Sequence, residues 1–256
     1  MQIADNLFSN DKYRPFLGIS ISARPPPLDK SISILKWMLR SSSSLLPILF
    51  ADEIGKINYR VFGDSEVRAS KMVEKNKIIH VDLWKEALSK FTEKERSRFV
   101  FIDWCDIVTP KLIIQQDIIR ESFFEQNDLY HAVFPLVSLI IRNAGKTVTL
   151  QRCLKMAEYV IQELPTLLFG IEFNGINYQM LIYPTFFECT EMEHLIAELR
   201  SQPHYSILRD KLCFEVFEFN KLIQMILCEK ELSSDLLGLE SQSENYTNSS
   251  DIGLTC

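Results

Sequence analysis

The chain has 256 residues, of which 46% are hydrophobic, so it can bury a sizeable core and is not disordered throughout. Its net charge of -6 at pH 7 gives no general attraction to nucleic acid, so such binding would need a local basic patch. The six cysteines form neither a Cys-x-x-Cys pair nor a Cys/His cluster, which argues against a zinc site and a disulfide framework. We predict no metal site.

The sequence also lacks the usual marks of secretion and membrane insertion. Residues 1–10 carry acids and polar side chains where a signal peptide needs a basic start and an apolar core. The longest apolar stretch, 132–141, is about half the length that spans a bilayer, and it contains Pro135. We therefore expect no contact with a membrane, and a reducing cytoplasm is the simplest location.

The first half of the chain alternates between strand-like and helix-like patterns. Short apolar runs between breakers predict strands, whereas apolar residues three and four apart predict helices. The predicted strands are residues 16–22, 45–51, 78–81 and 98–102. The segments between them are a helix capped by Asp29, a loop at 52–53, a turn at 63–64, a helix over about 65–77 and a charged helix through Lys94. This alternation is typical of a parallel sheet with crossover helices, which is an α/β fold.

The second half of the chain begins with three predicted helices. Thr109 and Pro110 give the first helix a cap and a proline in its first turn. Residues 127–143 are apolar nearly all round and predict a central buried helix. The third predicted helix runs over 149–164 and ends at Pro165, because the residue before a proline resists helical geometry.

The remaining residues predict shorter elements and a tail. Asn174 and Gly175 have the preferences of a tight hairpin turn. The later elements are a strand over 179–183, a helix with a capping box at Thr190 and Glu193, a strand over 213–219 and a helix to about 232. We expect one domain over residues 1–232 and a disordered polar tail over 233–256.

Ser20 follows an apolar run that three prolines at 25–27 then close. Open α/β sheets bind their ligands just outside the carboxyl ends of strands, so this serine is placed where chemistry can occur. A lone serine in this position is more often a helix cap or part of a turn. Other residues must therefore decide its role.

Tyr159 and Glu163 lie four residues apart on the predicted 149–164 helix, and so they are neighbours on one helical face. They fall outside the apolar stripe to which Leu150, Leu154 and Ile161 belong. Taken alone, the pair is more often a half-buried phenol beside a surface acid than a catalytic pair.

Three motifs at their joint spacing resemble those of the cyclodipeptide synthases. Gly18 and Ser20 match a Gly-x-Ser segment whose serine is acylated in that family. Tyr159 and Glu163 match its Tyr-x-x-x-Glu pair before Leu-Pro, and Tyr183 matches its third essential tyrosine. Further positions that match the family pattern are Trp37, residues 52–53 and Gly63.

The resemblance covers residues from about 13 to 225 and implies a Rossmann-like parallel sheet flanked by helices. Such a domain is similar to the catalytic domain of class I tyrosyl- and tryptophanyl-tRNA synthetases. The chain has neither a Gly-rich loop nor a His-x-Gly-His motif, so we expect no ATP and no other cofactor. The implied substrates are two aminoacyl-tRNAs per cycle, and the implied product is a 2,5-diketopiperazine. We expect a monomer.

The resemblance also implies a role for each matched residue. Ser20 would form the aminoacyl-enzyme and later the dipeptidyl-enzyme, which splits a difficult transfer into easier steps. Glu163 and Tyr159 would hold the ammonium of the aminoacyl group. Tyr183 would assist proton transfer as the dipeptide cyclises.

The family has two branches, which differ in the residue three past the serine and the residue after the last tyrosine. This chain has Ala23 and Pro184 at these positions, and it resembles the branch in which any residue is followed by tyrosine and proline. Ala23 cannot supply the side-chain hydrogen bond of the asparagine branch. Another group must therefore take that place.

The resemblance also indicates two sets of binding residues. Those near the first aminoacyl side chain are Phe16, Gly18, Ile48, Trp104, Thr166 and Leu181, and the bulk of two of them predicts a small first residue such as alanine. The candidates for tRNA contact are Arg68, Lys71, Lys75, Lys77, Lys90, Lys94, Arg96 and Arg98. Each of these cations is as consistent with an ordinary solvated charge.

Two other functions remain open from the residues. A serine hydrolase of the α/β class would need a Gly-x-Ser-x-Gly turn, but Ser22 stands where the second glycine belongs. Of the histidines, only His194 and His204 come late enough in the chain for a triad. A noncatalytic module that binds tRNA or protein through a synthetase-like fold is the third reading.

Overall fold

The computed structural model describes residues 14–125, 127–182, 195–196, 198–199 and 201–212. The strands are β1 (Pro15–Ile19), β2 (Leu46–Phe50), β3 (Phe99–Asp103), β4 (Ile171–Phe173), β5 (Ile176–Tyr178) and β6 (Met180–Ile182). The helices are α1 (Leu28–Ser41), α2 (Asp52–Val61), α3 (Glu66–Leu88), α4 (Glu93–Arg96), α5 (Pro110–Glu125), α6 (Asn127–Asn143), α7 (Leu150–Phe169) and α8 (Ser206–Lys211). Short 3-10 helices cover Trp104–Ile107 and Pro203–Tyr205.

A parallel sheet in the order β3-β2-β1-β6 forms the centre of the fold. Leu17 pairs with Ile48 of β2, and Phe16 pairs with Leu181 of β6. The predicted α/β fold with a parallel sheet is confirmed. Because the chain continues from β1 to one side of the sheet and returns as β6 on the other, the carboxyl end of β1 is a topological switch point.

Side chains alternate between the two faces of this sheet. Face A carries Phe16, Leu49 and Ile102, which belong to one buried cluster with residues of α2, α5, α6 and α7. Face B carries Leu17, Ile48 and Phe50, which belong to a second cluster with residues of α1 and α3. The strands are buried on both sides, as parallel strands usually are.

Helix α3 is continuous from Glu66 to Leu88, so the strand predicted over 78–81 is wrong. Ile78 and Ile79, whose apolar run suggested a brief strand, are 56% and 47% exposed. The buried residues follow helical spacing instead, and they are Ala69, Val73, His80, Trp84 and Ala87. Helical burial across the whole segment therefore outweighs the local apolar run.

Two predicted helix starts also differ from the structure. Asp52 was expected in a loop, but it opens α2, where the acidic first turn interacts favourably with the helix dipole. Asp29 was expected to cap α1, but the helix begins at Leu28 and Pro27 occupies the cap position, two residues before Asp29. Thr109 does cap α5, since its hydroxyl accepts a hydrogen bond from the backbone N–H of Leu112.

Helix α7 packs against α2, α5 and α6. It continues through Pro165 to Phe169, so the predicted end at the proline is wrong. The last turns are buried, which offsets the roughly 3 kcal/mol that an internal proline costs a helix. Gly170 follows the last helical residue, and its positive φ of 79° is a conformation that glycine adopts without a steric cost. At the other end Leu150 and Leu154 are exposed, so the predicted apolar stripe is buried only further along.

The hairpin predicted at Asn174 and Gly175 is confirmed. Strands β4 and β5 pair antiparallel, and both turn residues have positive φ, as this turn type requires. The strand predicted over 179–183 begins at Met180 and joins the central sheet as β6. The helix predicted from Thr190, the strand over 213–219, the helix to 232 and the tail over 233–256 involve residues outside those described.

Candidate active site

Ser20 is the first residue after β1, at the switch point of the sheet. Ile19 and Ile21 on either side of it belong to the cluster on face B. By the alternation of an extended chain, Ser20 faces away from that cluster. A turn follows, in which the N–H of Ala23 donates to the Ser20 carbonyl over 3.1 Å. The serine is partly exposed at the carboxyl edge of the sheet.

The Ser20 hydroxyl belongs to a short polar chain. Its Oγ lies 3.2 Å from Ser22 Oγ. Ser22 Oγ also accepts a hydrogen bond of 2.8 Å from Nδ2 of Asn58 on α2. Asn58 is 5% exposed, and its Oδ1 is buried without a partner among the described residues.

Helix α3 holds the backbone on both sides of Ser22. Asn76 donates from Nδ2 to the Ile21 carbonyl over 3.4 Å and also to the Tyr59 hydroxyl. The ring of His80 lies with Nε2 3.2 Å from the Ala23 carbonyl, so Nε2 carries the hydrogen. Burial lowers the pKa of His80, which keeps the ring neutral, and the carbonyl opposes this shift. Ala23 has no side chain that could form a hydrogen bond, and Asn76 and His80 hold the backbone of this turn instead.

Tyr159 and Glu163 are 5% and 6% exposed, so the tyrosine is more than half-buried and Glu163 is not the surface acid of the noncatalytic interpretation. Tyr159 shares the cluster on face A with Phe16 of β1. The Glu163 carbonyl accepts a hydrogen bond of 2.7 Å from the Thr166 hydroxyl one turn later. The structure therefore places both side chains on a buried helix that covers face A. Tyr183 and Pro184 lie outside the described residues.

A network of charges lies beside the site, at the ends of β2 and β3. Lys77 Nζ lies 2.8 Å from Asp52 Oδ2 and 2.6 Å from Asp103 Oδ1. Asp52 Oδ1 accepts hydrogen bonds from the backbone N–H groups of Trp104 and Glu53. Partial burial acts to lower the pKa of Lys77, but the hydrogen bonds to both carboxylates raise it overall.

The residues expected near the first aminoacyl side chain are divided between the two faces. Phe16 and Trp104 lie in the cluster on face A, and Thr166 is buried on α7. Ile48 points to face B, so the structure does not bring it to the others. Leu49, the next residue of β2, lies on face A. Gly18 is buried in β1, and the backbone of Leu181 pairs with Phe16.

The cations expected to contact tRNA differ in their surroundings. Lys71, Lys75, Lys90, Lys94 and Arg96 are exposed. Arg68 is also exposed, and it pairs with Asp64 at 2.9 Å. The ammonium of Lys77 lies between two carboxylates. The Arg98 guanidinium donates to the carbonyls of Leu39, Ser42 and Ser44, so it ties the residue before β3 to the end of α1 and the segment that follows it.

No pattern in the sequence indicated that Ser22, Asn58, Asn76 and His80 would surround Ser20. Asn58 lies between the predicted loop at 52–53 and the predicted turn at 63–64, where no element was predicted, and His80 lay in a predicted strand. A continuous helix at α3, recognised from the spacing of Ala69, Val73 and Trp84, would have placed Asn76 and His80 on one side.

Within the described residues, no group of three or more His, Cys, Asp or Glu side chains could hold a metal ion. No helix of that part is long and apolar enough to cross a membrane.

Comparison with known proteins gives the class of fold. No protein-family model matches the sequence, and no curated protein matches it. Solved structures of cyclodipeptide synthases do match, so the chain has the fold of these enzymes. The Rossmann-like architecture expected from the resemblance is thereby confirmed.

Three of these structures show the extent of the similarity. A cyclodipeptide synthase from Bacillus thermoamylovorans is 15% identical with a TM-score of 0.57, over 75% of this chain and 85% of that one. One from Fluoribacter dumoffii is 16% identical with a TM-score of 0.56, over 79% and 88%. One from Mycobacterium tuberculosis, described as related to type I tRNA synthetases, is 14% identical with a TM-score of 0.55, over 75% and 80%.

Proposed function

We propose that the chain is a cyclodipeptide synthase that joins the aminoacyl groups of two aminoacyl-tRNAs. The observation that carries this proposal is the placement of Ser20 at the switch point, with buried Tyr159 and Glu163 on the helix that covers face A. The fold similarity supports it, and so do the motifs that resemble this family.

In the first step, Ser20 Oγ attacks the ester carbonyl of an aminoacyl-tRNA. A new ester forms on Ser20, the bond to the ribose oxygen breaks, and the serine proton ends on that oxygen. Because the substrate is already an activated ester, the transfer needs no ATP. Glu163 binds the ammonium of the aminoacyl group through a charge-assisted hydrogen bond that Tyr159 shares.

In the second step, the amine of the aminoacyl group on Ser20 attacks the ester carbonyl of another aminoacyl-tRNA. A peptide bond forms, the bond to the ribose oxygen of that tRNA breaks, and a proton from the amine ends on that oxygen, which leaves a dipeptidyl ester on Ser20. The free amine of the dipeptide then attacks its own ester carbonyl, which closes the ring and returns Ser20 to its free form. Tyr183 transfers a proton in this step. His80, the histidine beside the Ser20 turn, directs Nε2 to the Ala23 carbonyl and so does not present that nitrogen to Ser20 as a base.

The first aminoacyl side chain is small in this proposal. Phe16 and Trp104 are both bulky, and both are buried in the cluster on face A, which reduces the space there. Alanine is the residue that we expect. Mass spectrometry of medium from a bacterium that expresses the chain would identify the product, and a dominant product with two aromatic residues would refute this assignment.

The decisive experiment is incubation with radioactive aminoacyl-tRNA, followed by detection of a hydroxylamine-sensitive label on the protein. We expect label on the wild type and none on Ser20→Ala, with a cyclic dipeptide as the released product. Release of free amino acid in place of the dipeptide would indicate a hydrolase. Binding of tRNA without any label would indicate a noncatalytic module.

A further inference from the structure

The contact between Ser20 and Ser22 has a preferred direction. A serine hydroxyl has one hydrogen to donate and two lone pairs to accept with. Asn58 donates to Ser22 Oγ over 2.8 Å, so Ser22 is already an acceptor and keeps its own hydrogen to give. Ser20 Oγ, at 3.2 Å, lies within reach of that hydrogen.

We propose that Ser22 is a second catalytic hydroxyl, which donates a hydrogen bond to Ser20 Oγ, and that Asn58 is the positioning residue that directs it. This inference rests on the proposed function of Ser20. The hydrogen of Ser20 itself then remains available for transfer to the departing ribose oxygen.

A donor at Ser20 Oγ is useful in both halves of the reaction. Negative charge develops on this oxygen as its proton leaves, and it develops again when cyclisation expels Ser20 from the dipeptidyl ester. Hydrogen bonds to charged oxygens are stronger than those to neutral ones, so the interaction strengthens in the transition state. Removing one fixed donor of this type slows an enzyme by about 100- to 1000-fold, and we expect about 10- to 100-fold for an exposed hydroxyl.

The surroundings fix the position of Ser22. Asn76 donates to the carbonyl of Ile21 and His80 to the carbonyl of Ala23, so the backbone is held on both sides. Asn58 is almost fully buried, and it presents its NH2 group to Ser22 while Oδ1 has no partner among the described residues. If the amide were reversed, Oδ1 would take the hydrogen of Ser22, and Ser20 would have to donate to Ser22.

Three substitutions separate the Ser22 hydroxyl and the direction of its hydrogen bond from effects on packing, and a fourth is the control. Ser22→Ala removes the donor at an exposed position, so the variant is expected to fold. Ser22→Thr keeps the hydroxyl and is the conservative rescue. Asn58→Asp keeps the shape of the side chain but offers an acceptor to Ser22, which reverses the hydrogen bond. Ser97→Ala is the matched control, because it also removes an exposed serine hydroxyl. The Ser97 hydroxyl donates to the Lys94 carbonyl instead of contacting the site.

The measurement is the single-turnover rate at which radioactive alanyl-tRNA, or the aminoacyl-tRNA found to label the wild type, acylates Ser20. Ser22→Ala and Asn58→Asp should acylate about 10- to 100-fold more slowly at saturating substrate, with the KM for aminoacyl-tRNA unchanged. Ser22→Thr and Ser97→Ala should stay close to the wild-type rate. Thermal melting of each variant shows that the protein is folded.

Each remaining outcome overturns a stated claim. A Ser22→Ala rate equal to wild type overturns the role of Ser22 and leaves the proposed function intact. A Ser22→Thr rate as low as that of Ser22→Ala shows that the hydroxyl is not what matters, which also overturns it. Absence of label on the wild type overturns the proposed function and this inference together.

Discussion

At the residue scale, Lys77 shows how one side chain can fix the edge of a site. Its ammonium pairs with Asp52, which follows β2, and with Asp103, the last residue of β3. The other oxygen of Asp52 accepts a hydrogen bond from the backbone N–H of Trp104. A cation held between two carboxylates is unlike the mobile surface lysine that phosphate binding usually involves. We therefore infer that Lys77 stabilises this edge of the sheet through its ion pairs and is not primarily a tRNA contact.

The first prediction concerns Lys77→Met. Without the ammonium, two carboxylates face each other at the partly buried edge of the sheet, so the free energy of unfolding should fall by about 1–3 kcal/mol. Urea unfolding at neutral pH measures this change. Lys71→Met, on the exposed surface of the same helix, should stay within about 0.5 kcal/mol of wild type. Equal stability of the two variants would contradict the assignment.

The second prediction concerns His80. Its pKa is lowered by burial in the folded protein, below the ordinary 6.5 that it regains on unfolding. As pH falls below 6.5, the unfolded chain therefore binds more protons than the folded one, and stability is lost with a slope approaching about 1.4 kcal/mol per pH unit. Above 6.5 this contribution is constant.

Glutamine at position 80 can donate to the Ala23 carbonyl without titrating. Urea unfolding of wild type and His80→Gln at pH values above and below 6.5 should therefore show a shallower acid slope in the variant. Parallel slopes would show that the pKa of His80 does not differ between the folded and the unfolded state.

At the element scale, α7 and the hairpin of β4 and β5 meet at one glycine. Gly170 has a φ of 79°, and a Cβ at this position would lie 2.0 Å from the Tyr178 carbonyl oxygen. The end of the helix therefore lies directly against the backbone of β5. Since the hairpin leads straight into β6, this contact also sets where β6 enters the sheet beside β1.

The third prediction is the effect of Gly170→Ala. The backbone conformation is unfavourable for alanine, and the collision is with backbone atoms that cannot rotate away, so we expect a loss of more than about 3 kcal/mol. Gly145→Ala is the control, since its φ of 67° is also positive but no atom lies within 4 Å of the added Cβ. The control should lose about 1 kcal/mol. Similar melting temperatures for both variants would contradict the close approach.

Local sequence signals predicted the elements whose stability is local. The hairpin turn needs the conformational freedom of Asn174 and Gly175, and strands such as β2 are apolar runs with clear breakers. The errors occurred where packing overrides a local signal, as at Pro165 within α7 and at the apolar run within α3. For the candidate site, the spacing that resembles the cyclodipeptide synthases predicted Ser20, Tyr159 and Glu163, and their roles stay predictions. The contact between Ser22 and Asn58 joins residues 36 apart, and no periodicity predicts it.

At the scale of the whole molecule, the distribution of charge matters more than its sum. The chain carries a net charge of -6, which repels a polyanion at long range. Helix α3 nevertheless exposes Lys71 and Lys75 four residues apart, so their side chains lie on one helical face. The same helix contacts the Ser20 turn through Asn76 and His80. By the helical spacing, these lysines lie on the opposite side of α3 from Asn76 and His80, so a tRNA bound here would cover the outer face of the helix that holds the turn.

The last prediction follows from this arrangement. The double variant Lys71→Glu and Lys75→Glu should bind aminoacyl-tRNA more weakly, and the slope of log K against log salt should fall by about 1–2, because two phosphate contacts are lost. Filter binding over a series of potassium chloride concentrations measures both quantities. The control is Lys146→Glu with Lys155→Glu, which changes the net charge equally at exposed positions remote in sequence. If the two double variants lose affinity and slope equally, net charge alone governs the binding, and α3 is not the contact surface.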